Sequence, residues 1–178
     1  MKFFRIFIGK KPYDKDKPLE DDEIYQTHFK KLKYFERAPW VKKIYILTAF
    51  PSCVKSCASS MVNWMKDENK LLRFAGDRFT VYDDEYGRAR YEKLVKTCKK
   101  CALIDYKDIL KNKNGQITMY DDSTNLLYID NLGHFTKYGR DRLRPVYKEL
   151  ADRFAVEFNE YLKPKQRAPK KTRRKIPE

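Results

Sequence analysis

Phe3 to Ile8 (FFRIFI) is a short apolar run broken only by Arg5, the pattern of a buried strand. Asp21, Asp22 and Glu23 then supply negative charge at a helix N-terminus, and Ile24, His28, Leu32 and Phe35 recur at threes and fours. A helix is therefore predicted to about Arg37, ended by Pro39. Lys43 to Phe50 (KIYILTAF) is the clearest strand, β-branched and aromatic and closed by Pro51. Met61, Trp64 and Met65 mark the next helix, and Asp67 to Asp84 is a polar excursion. Arg88 to Thr97 reads as a helix with Tyr91, Leu94 and Val95 on one face, running into a second short strand at Ala102 to Tyr106 (ALIDY). Asn114-Gly115 is a turn. Leu126 to Asp130 (LLYID) is a third strand, and the chain ends in a long helix striped by Leu143, Val146, Leu150, Phe154, Phe158 and Tyr161, with Pro145 near its start. This alternation predicts an α/β fold, a mostly parallel sheet with helices on its faces and its chemistry beyond the carboxyl ends of the strands.

Composition narrows the picture. The 178 residues hold one domain, or one domain with a tail. Charged residues make up 37%, yet aromatic residues make up 15%, too many for a chain disordered throughout. The net charge of +15 is uneven: Lys163 to Glu178 carries eight basic side chains and one acid, a net +7 that leaves +8 for residues 1–162. With Pro164, Pro169, Pro177 and few apolar residues, that segment is expected to be a disordered, solvated basic tail. Its KKTRRK (Lys170 to Lys175) would otherwise serve as a nuclear address or a patch for nucleic acid or acidic lipid. No run of about 18 apolar residues is present, and MKFFRIFIGKK lacks a signal-peptide core and cleavage site, so the chain as written is expected to be soluble.

Two features carry candidate chemistry. Cys53 and Cys57 form a CxxxC and Cys98 and Cys101 a CxxC, which admit disulfides, free thiols or four zinc ligands. In LYIDNLGHFTKYG (Leu127 to Gly139), a strand ending at Asp130, a short loop to His134 and Thr136 as helix N-cap bring a carboxylate and an imidazole to the carboxyl edge of the sheet. A carboxylate that accepts from one ring nitrogen fixes the tautomer and leaves the other nitrogen free to take a proton.

At these residues the chain resembles the carboxyl-terminal portion of an SGNH domain, the three-layer α/β/α sandwich of the GDSL-like esterases. The version it resembles most is appended to the multi-spanning membrane acyltransferase-3 proteins, expanded in invertebrate animals. The matching blocks are KIYILTAFPSC (Lys43 to Cys53), CKKCALIDY (Cys98 to Tyr106), YDDSTNLLYID (Tyr120 to Asp130) and HFTKYG leading into RLRPVYKEL. The resemblance implies His134 as the catalytic histidine and Asp130 as its aspartate, although Asp130 lies four residues before His134 where the family pattern is DxxH, and Asn131 holds the minus-three position. It also implies disulfides among the cysteines, for example Cys53 or Cys57 with Cys98 or Cys101, and a membrane-associated or luminal setting.

The family's serine, in a GDS-like turn, has no counterpart here: Gly76-Asp77-Arg78 puts arginine in the serine's place, and no GxND occurs. With Phe3 to Ile8 taken as the third strand of the fold, the expectation is a partial SGNH-like domain over residues 1–162 and a basic tail over 163–178. Such a domain is related to O-acyl transfer or ester hydrolysis but inactive alone. Its expected partners are an acyl donor and a hydroxyl acceptor, as in intact relatives, and an acyltransferase membrane domain, with no cofactor or metal. The alternative is a basic module for nucleic acid or acidic surfaces, built on the tail and the lysine-rich FKKLKY (Phe29 to Tyr34), although nucleic acid is not the expected partner.

Overall fold

The computed structural model describes residues 10–162; the strand expected at Phe3 to Ile8 and the tail expected from Lys163 onward lie outside the described residues. The described residues divide into two compact units, 10–146 and 147–162.

In the first unit, helix α1 (Glu23–Arg37) starts where the acidic cluster predicts. Asp22 is its N-cap, and the Asp22 carboxylate accepts from the Tyr25 amide at 2.7 Å. The helix stops at Ala38, held extended by the following Pro39. Strand β1 (Ile44–Leu47) pairs in parallel with β4 (Cys101–Ile104), in register from Ile44 opposite Cys101 to Leu47 opposite Ile104. The amide of Thr48 carries the ladder one step further, donating to the Ile104 carbonyl at 2.9 Å. A small antiparallel pair follows, β2 (Ser52–Cys53) with β3 (Thr80–Val81). Helices α2 (Cys57–Asp67), α3 (Glu85–Lys96) and α4 (Lys137–Leu162) complete the order.

The period-two pattern of β1 sends Ile44 and Ile46 to one face, where they meet Tyr25 and Leu32 of α1 and Tyr91 and Leu94 of α3. Burying a side chain such as Leu32, which is wholly enclosed, contributes roughly 1.5 to 3 kcal/mol. The α/β class and the parallel pairing are as the pattern predicts.

At the centre of this packing lies Arg90, with no exposed surface. Its Nε and Nη2 donate to the two carboxylate oxygens of Asp22, each at 2.8 Å, and its Nη1 donates to the Lys11 carbonyl at 2.8 Å. The Tyr13 ring lies 5.0 Å from the guanidinium. One side chain thus joins α3, the cap of α1 and the chain leading into α1.

Three expectations change. LLYID does not form a strand; Tyr120 bridges Leu127, and Ile129 bridges Phe135, as isolated contacts inside an ordered loop. The polar Asp67 to Asp84 contains a 3-10 turn at Leu72–Phe74 and strand β3. The disulfides are local, Cys53 to Cys57 and Cys98 to Cys101, rather than across the pairs. The parallel register explains why: Cys101 opens β4 at the amino edge of the sheet, whereas Cys53 lies beyond the carboxyl end of β1. Four residues of strand separate those edges by about 13 Å, past the roughly 7 Å that a disulfide spans between Cα atoms.

In the second unit, α4 carries the pairs Lys148 to Asp152 and Arg153 to Glu149, and Phe154 stacks on Phe158 with ring centroids 5.7 Å apart. Pro145 lies within α4, ahead of this stretch.

Removing one member of a buried pair strands the other charge, so Arg90→Met and Asp22→Ala should each lower stability by about 3 kcal/mol or more, and the double variant should lose less than their sum. The guanidinium holds the Asp22 carboxyl below its ordinary pKa. Its contribution is therefore complete above about pH 4, the unfolded value, and is lost as pH falls through the lower folded value. Urea midpoints across this range should fall more steeply for the native chain than for Asp22→Asn.

Candidate active site

Beyond Leu47 the chain leaves the sheet at its carboxyl edge and turns at Pro51 into β2. Arg88 of α3 braces this edge: it grips both oxygens of Asp105, at 3.1 and 2.6 Å, and donates to the Ala49 carbonyl at 3.1 Å. Burial opposes the charge on Asp105, but the bonds from Arg88 and the Lys107 amide outweigh it and hold its pKa below the ordinary value. The braced edge forms one wall of a cleft of about 670 Å³, lined by the 46–57 stretch, Met119, Ile129 and the Asn131 to Gly133 loop. The lining is mainly apolar. Thr48 also faces it, 2% exposed, and the Thr48 hydroxyl is without a partner among the described residues.

Asp130 and His134 come together on the loop whose Asn131 to Gly133 stretch lines this cleft. The Asp130 amide donates to the His134 carbonyl at 2.9 Å, and Asp130 Oδ1 accepts from the Leu132 and His134 amides at 2.8 and 2.9 Å. Those amide bonds, His134's first, hold the Asp130 carboxyl below its usual range. The other oxygen, Oδ2, lies 3.5 Å from His134 Nδ1. The four-residue spacing is absorbed by Gly133, whose φ of +82° suits glycine and lets the loop close. The His134 side chain is 69% exposed, and Oδ2 addresses its Nδ1, so Nε2 is the nitrogen left for a reacting group.

Three neighbours set this loop. Asn131, in the minus-three position, turns away from the imidazole: its Oδ1 accepts from the Ser59 amide at 2.8 Å and its Nδ2 donates to Ser59 Oγ at 2.9 Å. That bond serves the first turn of α2, whose own N-cap, Ser56, makes no side-chain cap. On the other side Thr136 caps α4 as predicted, accepting from the Gly139 amide at 3.1 Å. Beneath it, Asp121 collects the amides and hydroxyls of Ser123 and Thr124, which hold it well below the carboxylate range. The Tyr128 hydroxyl donates to Asp121 at 3.2 Å, and burial pushes its pKa up to about 12, so it remains a donor. YDDSTNLLYID is thus the footing of the Asp130–His134 loop.

Among the described residues, no serine hydroxyl bonds the His134 imidazole. Gly76-Asp77-Arg78 is a structural turn: Asp77 accepts from the Tyr82 hydroxyl at 2.9 Å, and Arg78 lies 4.6 Å from the Trp64 ring centre. Ser52 lines the cleft, but its hydroxyl donates to Asp83 at 2.7 Å and accepts from Lys10 at 2.5 Å. Lys10 also pairs with Asp83 at 2.7 Å, so the Ser52 hydroxyl is held inside a salt-bridged cluster. Sequence reading missed this cluster, the Asn131 clamp and the Arg88 brace, because each joins residues 17 to 73 positions apart that share no motif. The four cysteines that could have ligated zinc are all in disulfides.

A family model described as "SGNH domain (fused to AT3 domains)" matches residues 5–149. No curated protein matches the chain. Among solved structures, one provisionally described as a platelet activating factor from Streptococcus pneumonia is similar, with a TM-score of 0.47 and 14% sequence identity. The match covers 76% of this chain and 53% of that one, so the chain spans about half the length of the solved protein.

Gly139 tests how the loop is held. A Cβ there would fall inside contact distance of the Tyr128 carbonyl oxygen and 2.9 Å from Cδ1 of Phe135. Gly139→Ala should cost about 1 to 3 kcal/mol, read as a lowered Tm, whereas Gly115→Ala, which meets nothing within 4 Å, should cost only the strain of its φ of +78°.

Proposed function

Because the chain belongs to the family of SGNH domains fused to AT3 domains, we propose that Asp130 and His134 are the acid–base pair of an acyl-transfer site and that these 178 residues are inactive alone. The observation that carries this reading is the Asp130 carboxylate, 3.5 Å from His134 Nδ1, on a loop whose Asn131 to Gly133 stretch lines the cleft.

In a complete site, His134 Nε2 removes the proton of a serine hydroxyl as that oxygen attacks an acyl carbonyl, and returns it to the departing donor group. In the second half it deprotonates a hydroxyl acceptor, whose oxygen takes the acyl group as the imidazolium returns that proton to the departing serine oxygen. Asp130 holds the ring in the required tautomer and stabilises the imidazolium formed at each step. Water in place of the acceptor gives ester hydrolysis. No GDS serine and no GxND donor occurs in these residues. One missing oxyanion donor alone lowers turnover about 100- to 1,000-fold, and without a nucleophile no acyl-enzyme forms.

The proposal extends to the setting. In the family the domain is fused to AT3 domains, so an acyltransferase membrane domain is the natural partner, and an acyl donor and a hydroxyl acceptor are the substrates of the complete site. No helix among the described residues is long and apolar enough to cross a membrane. Two disulfides favour an oxidising, luminal compartment.

Turnover of p-nitrophenyl acetate by the purified chain should not exceed that of buffer and of His134→Ala. Turnover that His134→Ala abolishes would show a working nucleophile and overturn the claim of inactivity, while leaving the role of His134 supported.

A further inference from the structure

At the opposite edge of the sheet lies a surface that the acyl-transfer reading does not use. The connections entering β1 (residues 38–43) and β4 (Cys98 to Lys100) both lie at the amino edge, because the strands are parallel with Ile44 opposite Cys101. Residues 28–43 hold six basic side chains, Lys30, Lys31, Lys33, Arg37, Lys42 and Lys43, against one acid, Glu36. Lys99 and Lys100 join them: the Lys99 amide donates to Glu36 at 2.5 Å and Lys100 Nζ to the Ala38 carbonyl at 3.1 Å. Glu36 is also paired with Lys33 at 2.7 Å and is only 14% exposed, so it offers little negative charge to a partner.

From this basic field protrude two large aromatics, Trp40 at 74% and Tyr34 at 68% exposure. Between them runs an open groove of about 460 Å³ flanked by Lys30, Lys33 and Arg37 and floored by Phe29. Exposed indole and phenol rings cost free energy in water, and ringed by lysine and arginine they suit an interface that is apolar on one side and anionic at its surface.

We propose that this face docks on an anionic lipid bilayer, with Trp40 and Tyr34 at headgroup level and Lys30, Lys31 and Arg37 against lipid phosphates and carboxylates. Charge complementarity selects an anionic occupant. The ring arrangement selects lipid over nucleic acid, since base stacking uses a succession of open aromatic faces. Here the Phe29 ring is stacked on Tyr25 at 5.9 Å and covered by Lys33 at 5.4 Å, and Tyr34 packs edge-on against Phe35 at 5.4 Å. The proposal rests on this surface alone, whether or not the cleft is active. Docked in this way, the cleft at the carboxyl edge points away from the bilayer.

The chain has two tryptophans, so in full-length Trp64→Phe the emission reports on Trp40 alone. Brominated phosphatidylcholine vesicles containing phosphatidylserine should quench that emission at low salt, and vesicles without phosphatidylserine should not. Lys30→Gln and Arg37→Gln should each weaken partitioning about fivefold, and high salt should release the protein. If Trp64→Phe fails to fold, the quenching lost on Trp40→Phe in the native background gives the same readout. Binding without quenching of Trp40 would assign the contact to the basic tail and overturn the proposal. So would an absence of vesicle binding, or an oligonucleotide that shields Trp40 where vesicles do not.

Discussion

A guanidinium without exposed surface tolerates only one arrangement of its neighbours, and Arg90 imposes that arrangement on the first unit. Its fork engages both oxygens of Asp22, which also caps α1, and its remaining bond reaches the Lys11 carbonyl. The orientation of α3 against α1 follows, and between them these helices cover the Ile44 and Ile46 face of β1. From α3 the second arginine, Arg88, reaches the carboxyl ends of both strands through Ala49 and Asp105. One helix thus uses a buried arginine to fix the helical layer and a half-buried one to shape the edge where the cleft opens.

On that edge the loop from Asp130 to His134 is held by backbone bonds rather than by burial. A carboxylate that spends one oxygen on two amides presents the other to Nδ1 with little freedom, despite its exposure. Ordering comes from outside the loop as well: Asn131 ties it to α2, Thr136 to the start of α4, and the Asp121 turn supports it from below. The two ends of the sheet then differ in kind. The carboxyl end is a mainly apolar cleft lined in part by the loop that carries the Asp130–His134 pair, and the amino end is a basic, aromatic surface.

Much of this was legible in the residues. The acidic cluster before α1, the β-branched run at β1, the Thr136 cap and the proximity of Asp130 to His134 are local patterns, set by propensity, capping and short-range spacing. What could not be read depends on partners distant in sequence. LLYID has strand-like residues but, among the described residues, no neighbouring strand to complete a ladder, so it forms bridges inside a loop. The cysteine pairing follows from parallel register, which places the two motifs at opposite edges. Arg90 stands in a polar stretch of a helix, RARYEKLVKT, and only its partner 68 residues away makes it a core residue. The DxxH departure looked like a defect in sequence, yet one glycine in the left-handed region restores the approach of carboxylate to ring.

We propose that Asp130 orients His134 and leaves Nε2 free as the base. Long-range nitrogen–proton NMR of the neutral imidazole reports its tautomer directly. The proton should sit on Nδ1 in the native chain, and that preference should be lost in Asp130→Asn. A ring protonated on Nε2, or one whose tautomer ignores the substitution, would contradict the proposal.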